Sequence, residues 1–211
     1  MKIGIIGAGM IGATAARLFA KAGHDVAVSN SRGPESLQSL VAEIGPRARA
    51  MTIADAARFG DVVLLAVPWR RPEALPPPDT VMGKIVIDAM NPYSEGGGLE
   101  DLQGLTSSEH TQRRLPDARI VKAFNTIWYK HLAANGNTSV PPSQRHAIFV
   151  SGDDDEAKRG VMKLIEDIGF GPVDLGSLVE GGRRQQPGSD IYNKPMTAAD
   201  AQRRAATKPQ V

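Results

Sequence analysis

Three glycines spaced G-x-G-x-x-G, Gly7, Gly9 and Gly12, stand between the apolar run Lys2-Ile3-Gly4-Ile5-Ile6 and the segment Ala13-Thr14-Ala15-Ala16-Arg17-Leu18-Phe19. A run too short for a helix, then glycines, then a helical pattern is the order a dinucleotide-binding strand, turn and helix require. Gly7 permits the tight turn, Gly9 lets backbone amides reach a pyrophosphate beside Met10 and Ile11, and Gly12 lets helix and strand pack closely. The next strand selects the nucleotide. An NAD-selective fold places Asp or Glu about 20 residues past the glycines to hold the ribose 2′-hydroxyl. Here His24-Asp25-Val26-Ala27-Val28 ends in Ser29, Asn30, Ser31 and Arg32. The acid is replaced by neutral donors and a guanidinium suited to phosphate, so NADP(H) fits better than NAD(H). The competing reading is that Ser31 caps a helix starting near Pro34 and Arg32 is solvated.

These residues need elements to hold them. Strands are expected at Ala48 to Met51, Val62 to Val67, Lys84 to Asp88, Arg119 to Phe124, His146 to Val150 and Val173 to Leu175, with helices over Pro34 to Ile44, after Thr52, and from Asp153 to Ile168. Unbroken β-branched runs belong to strands covered on both faces, as in parallel sheets. The alternation predicts an α/β fold, a Rossmann-like doubly wound parallel sheet filling residues 1–176 as an NADP-binding domain, followed by a C-terminal arm over 177–211. The arm could pack on its own subunit, cross to a partner or remain partly disordered. In such sheets ligands bind beyond the carboxyl ends of strands. Those ends are Gly7-Ala8-Gly9, Ser29 to Arg32, Val67-Pro68-Trp69, Met90-Asn91-Pro92 and Phe124-Asn125-Thr126, and all five are expected to line one crevice. Tyr93 to Gly104, with Gly96-Gly97-Gly98, reads as a flexible loop or lid.

Composition narrows the classes. The 211 residues contain no cysteine, which removes disulfides, thiolate metal sites and a thiol nucleophile. The four histidines, His24, His110, His131 and His146, lack ligand spacing, so no metal is expected. A formal net charge of +2 without a long basic run argues against nucleic acid, and no apolar run reaches a membrane span. The reading is a cytoplasmic protein with a small-molecule hydride acceptor as its partner, and a homodimer.

The segments Gly-Ala-Gly-Met-Ile-Gly at 7–12, Ser-Asn-Ser-Arg at 29–32, Ala-Val-Pro-Trp at 66–69, Asp-Ala-Met-Asn-Pro at 88–92 and Val-Lys-Ala-Phe-Asn-Thr at 121–126 carry a family resemblance. The chain resembles the deazaflavin-dependent NADP oxidoreductases (coenzyme factor 420 type), a group that includes the reductase domains of the six-transmembrane epithelial antigen metalloreductases. The resemblance implies that the loops at Pro68, Asn91 and Asn125 surround the nicotinamide, that Ser31 and Arg32 meet the 2′-phosphate, and that a flavin or deazaflavin is the second substrate. The polar extension from Gln185 to Val211 departs from the compact deazaflavin enzymes and bears on the acceptor more than on the fold.

No acid–base pair stands out at the strand ends, and hydride transfer between two rings asks chiefly for positioning. Catalytic residues are therefore not assigned. Reduction of a small carbonyl or imine, the alternative, needs a proton donor: Tyr129, Lys130 and His131 are nearest in sequence, with Tyr93 and Tyr192 less well placed. A third reading is a non-enzymatic NADP(H)-sensing module. Paired arginines at 70–71, 113–114 and 183–184 could attract a second phosphorylated cofactor or serve as solvated surface.

Overall fold

The protein's structure, a computed structural model, describes residues 1–206. Its centre is one eight-stranded sheet. In chain order the strands are β1 (Lys2–Ile6), β2 (Asp25–Ser29), β3 (Ala48–Ala50), β4 (Val62–Leu65), β5 (Ile85–Asp88), β6 (Arg119–Ala123), β7 (Ala147–Gly152) and β8 (Gly171–Asp174). The helices are α1 (Met10–Lys21), α2 (Gln38–Ile44), α3 (Ile53–Phe59), α4 (Ser107–Arg114), α5 (Tyr129–Ala134), α6 (Asp155–Asp167), α7 (Glu180–Arg184) and α8 (Ala198–Ala206). The spatial order β3-β2-β1-β4-β5-β6-β7-β8 reverses direction between β1 and β4. That switch point is where open α/β sheets bind their ligands.

The apolar runs are unbroken because successive side chains of each inner strand enter opposite cores. Ile3, Ile5, Val62 and Leu64 join Phe19 of α1 and Leu164 of α6 on one face, while Ile6, Val63 and Leu65 meet Ala56 and Ala57 of α3 on the other.

One strand departs from the parallel expectation. β7 runs antiparallel to β6, pairing Val121 with Gly152 and Ala123 with Val150, and β8 is parallel to β7. Residues 124–146, which join β6 to β7, hold the six-residue α5 and a 3₁₀ turn at Pro142–Gln144. The chain re-enters the sheet at the end it left. The expected helix over 34–44 is also divided, into a 3₁₀ turn at Pro34–Leu37 and then α2.

From Ser177 to Ala206 the chain packs on its own sheet. Ile191, Ala198 and Ala201 form a third apolar cluster with Ala147, Phe149 and Val173. The backbone locks in as well, with Ala147 N donating to Met196 O and Ala198 N to Arg145 O, both at 2.9 Å. Thr197 caps α8 by accepting from Asp200 N at 3.2 Å. Residues 207–211, the end of the expected arm, lie outside the described residues.

Candidate functional site

The glycine turn delivers β1 into α1 at the switch point. Gly7 holds φ +106°, a conformation other residues rarely adopt, and a Cβ there would lie 2.3 Å from Ala66 O. A Cβ on Gly12 would lie 1.8 Å from Gly7 O, so helix and strand approach more closely than any side chain allows. Gly9 differs, because a Cβ there would meet nothing within 4 Å. It is the N-cap of α1, makes no side-chain capping bond, and is followed by a first turn without acidic residues. The first amides of a twelve-residue helix thus face open space with their donors and the positive end of its dipole.

That space is a cleft of about 1170 Å³. Among the expected residues Gly7, Gly9, Met10, Ile11, Asn30, Ser31, Arg32, Val67, Pro68, Trp69 and Asn91 line it, and Arg70, Arg71, Glu73, Met90 and Tyr93 line it too. At the β2 end, Asn30 Oδ1 accepts from Arg32 N at 2.9 Å, and Asn30 Nδ2 donates to Ser36 Oγ at 2.9 Å, which fixes the loop. Ser31 and Arg32 are exposed there. The guanidinium of Arg32 makes no ion pair among the described residues, and the following 3₁₀ turn begins at Gly33 with no side-chain cap. The capping role considered for Ser31 is not realised.

Four expected residues do not line the cleft. Ser29 is fully buried, and its hydroxyl donates to Ile5 O at 3.1 Å, so it ties β2 to β1. Pro92 is buried below the loop it turns. Phe124 adopts φ +65°, a costly backbone for a bulky residue, and its ring sits in the core edge-on to Phe19 at 6.2 Å. Asn125, 4% exposed, lies behind Asn91 because the C-terminal segment covers the end of β6. The fifth strand end therefore supports the crevice from behind.

That support is a chain of amides. Asn91 Nδ2 donates to Asn125 O at 3.0 Å and to Tyr192 Oη at 3.1 Å, while Asn125 Nδ2 donates to Asn91 Oδ1 at 3.0 Å and to Gln185 O at 2.7 Å. Gln185, fully buried, returns Nε2 to Asn125 Oδ1 at 3.1 Å and accepts from Ser151 Oγ. Carbonyl oxygens accept only, so these contacts fix both asparagine orientations.

Below the same loop lies a buried ion pair. Lys122 Nζ, 1% exposed, donates to Met90 O at 2.6 Å and Ser107 Oγ at 2.9 Å, and stands 3.5 Å from Asp88 Oδ2. Asp88 is 0% exposed and accepts from Met90 N, Ser108 Oγ and Thr111 Oγ1. Burial pulls the Lys122 pKa down and Asp88 opposes it. α4, which supplies Ser107, Ser108 and Thr111, is announced by the capping box Thr106-x-x-Glu109. Trp69 packs edge-on against His110 at 6.1 Å with the Arg114 guanidinium 5.5 Å from its ring, so the indole braces the wall. Tyr129 and His131 pack around the exposed Trp128 and do not line the cleft.

A glycine turn, an uncapped helix and a basic β2 end at the switch point define a dinucleotide-binding cleft of the Rossmann type. Residues 2–92 match the family described as NADP oxidoreductase, coenzyme F420-dependent. Metalloreductase STEAP3 of Rattus norvegicus is 30% identical over 178 residues, 84% of this chain and 34% of the relative. The chain thus spans about a third of the length of that curated relative. A structure of a hypothetical protein, SMa0349 of Sinorhizobium meliloti, superposes with TM-score 0.81 at 36% identity over 93% of this chain and 95% of that one. A protein of Arthrobacter sp. FB24 proposed to be an F420-dependent NADP-reductase superposes with TM-score 0.72 at 28% identity, over 84% and 86% of the two chains. On these matches residues 2–92 carry the match to the F420-dependent NADP oxidoreductase family, and the chain is similar to NADP-dependent oxidoreductases over most of its length. Among the described residues no helix is long and apolar enough to cross a membrane.

Proposed function

We propose that the chain binds NADP(H) across this cleft and passes hydride between the nicotinamide and a flavin or deazaflavin acceptor. The cleft's two unlike ends carry the reading. At the β2 end, Ser31 and Arg32, which makes no ion pair among the described residues, present donors and positive charge where a 2′-phosphate would sit. Between the ends, the α1 amides beside Gly9 would hold the pyrophosphate. At the other end Pro68, Met90 and Asn91 form a wall held by the buried amide chain and by Lys122. Bound there, the nicotinamide supplies the hydride, and the protein's part is to hold two rings at near-attack distance.

Small-molecule pockets run about 300–1,000 Å³, and this cleft reaches about 1170 Å³, a size that suits an extended dinucleotide. The description of the matching family, F420-dependent, favours the proposed acceptor class. The test offers flavin mononucleotide, riboflavin and the deazaflavin in turn to protein saturated with NADPH, following the nicotinamide absorbance. Oxidation with one of them supports the reading and names the acceptor. Tight NADPH binding with no oxidation by any overturns the acceptor class.

A further inference from the structure

We propose that Tyr93, set by Tyr192 of the C-terminal segment, donates the hydrogen bond that stabilises negative charge arriving on the hydride acceptor. The inference rests on the hydride-transfer reading and assigns it a catalytic residue. Tyr93 follows the Asn91-Pro92 turn, lines the cleft and is 39% exposed. Its hydroxyl lies 3.1 Å from that of Tyr192, and either phenol can donate in such a pair.

The surrounding bonds choose the direction. Asn91 Nδ2 carries only protons, so at 3.1 Å it must donate to Tyr192 Oη, and its orientation is fixed by Asn125 O. Tyr192 accepts from Asn91, and its bond to Tyr93 favours its protonated form, so its hydroxyl is assigned as the donor to Tyr93. Tyr93 then turns its own proton toward the cleft. Burial holds the Tyr192 pKa above the ordinary phenol value, which keeps its proton in place.

The chemistry balances without transfer of a tyrosine proton. Hydride transfer breaks the C4–H bond of NADPH with its electron pair and forms the new bond on the acceptor ring. The cofactor is oxidised and the acceptor reduced. Negative charge spreads over a conjugated N–C=O segment of the acceptor ring, onto its carbonyl oxygen, and the ring nitrogen of that segment takes a proton from solvent afterwards. A donor already aimed at that oxygen lowers the barrier because no solvent need reorganise. The C-terminal segment thereby becomes part of the site, through Tyr192 in front and Gln185 behind.

The test uses Tyr93→Phe and Tyr192→Phe, which keep the rings, with flavin mononucleotide as the probe, or the deazaflavin where only that is reduced. In complexes with NADP⁺, infrared difference spectra are expected to show the probe's carbonyl stretch at lower frequency in native protein than in Tyr93→Phe. The single-turnover rate of NADPH oxidation is expected to fall about 10- to 100-fold in Tyr93→Phe and by a smaller factor in Tyr192→Phe, with the NADPH Kd held within about twofold. Unchanged stretch and rate in both variants overturn the proposal and leave the hydride-transfer reading standing. Native protein that binds NADPH but fails to oxidise it with any of the offered acceptors overturns that reading and the proposal with it. If Tyr93→Phe does not fold, the stretch and rate in Tyr192→Phe decide alone.

Discussion

Replacing Lys122 by methionine tests the pair that carries the Asn91 loop. The ammonium gives its protons to Met90 O at 2.6 Å and Ser107 Oγ at 2.9 Å and faces Asp88 Oδ2 at 3.5 Å, all in a place where it is 1% exposed. Lys122→Met leaves the Asp88 carboxylate buried with three neutral donors and no cation, which costs about 3–5 kcal/mol. In a chain of 211 residues that is a fall in Tm of about 6–20 °C, at roughly 2–4 °C per kcal/mol. Adding Asp88→Asn removes the orphaned charge while keeping an acceptor for Ser108 and Thr111, so the double variant should recover more than half of the loss. Urea unfolding of the native, single and double variants measures the cycle. A single variant that loses under about 1 kcal/mol, or a double variant no more stable than the single, refutes a charged, mutually dependent pair.

Arg32→Ala should weaken NADPH by about 1.5–3 kcal/mol, roughly 10- to 150-fold, and leave NADH nearly unchanged, because a charged hydrogen bond to the 2′-phosphate is all that is removed. Equal losses for both cofactors in a fluorescence titration would disprove the assignment. Gly9→Ala, whose new Cβ meets no protein atom within 4 Å, should keep the native melting curve and lose NADPH binding, whereas Gly12→Ala, with Cβ 1.8 Å from Gly7 O, should lose stability. Asp154 accepts from Arg119 at 2.6 and 2.9 Å, and this pairing holds its carboxyl below the ordinary value of 3.8. A depressed carboxylate pKa contributes stability that is complete above the unfolded pKa and is lost as pH falls. The Tm gap between native and Asp154→Asn protein should therefore be constant at neutral pH and close below about pH 3.8, and a gap that widens on acidification would contradict it.

The nucleotide end was legible because its signals are local. Three glycines, a short apolar run and the missing acid after β2 act within 30 residues of one another. The inner strands were legible because burial on both faces leaves no polar alternation. The direction of β7 was not, since it depends on the path of residues 124–146 rather than on the strand's own residues. The tail read as an arm because Ile191, Ala198 and Ala201 are too scattered to form a period, and they gain meaning only beside Phe149 and Val173. Lys122 and Asp88 sit in quoted motifs, yet a lysine inside a strand shows no partner until β5, β6 and α4 are assembled. Tyr93 and Tyr192, 99 residues apart, were ranked behind Tyr129 for the same reason.

The central claim is that the cleft selects NADP(H) through its β2 end. Calorimetric titration of one preparation with NADPH and with NADH measures this directly. The account predicts that NADPH binds at least about tenfold more tightly, the lower bound for one charged hydrogen bond to phosphate. Equal affinity for the two, or tighter NADH, would contradict it.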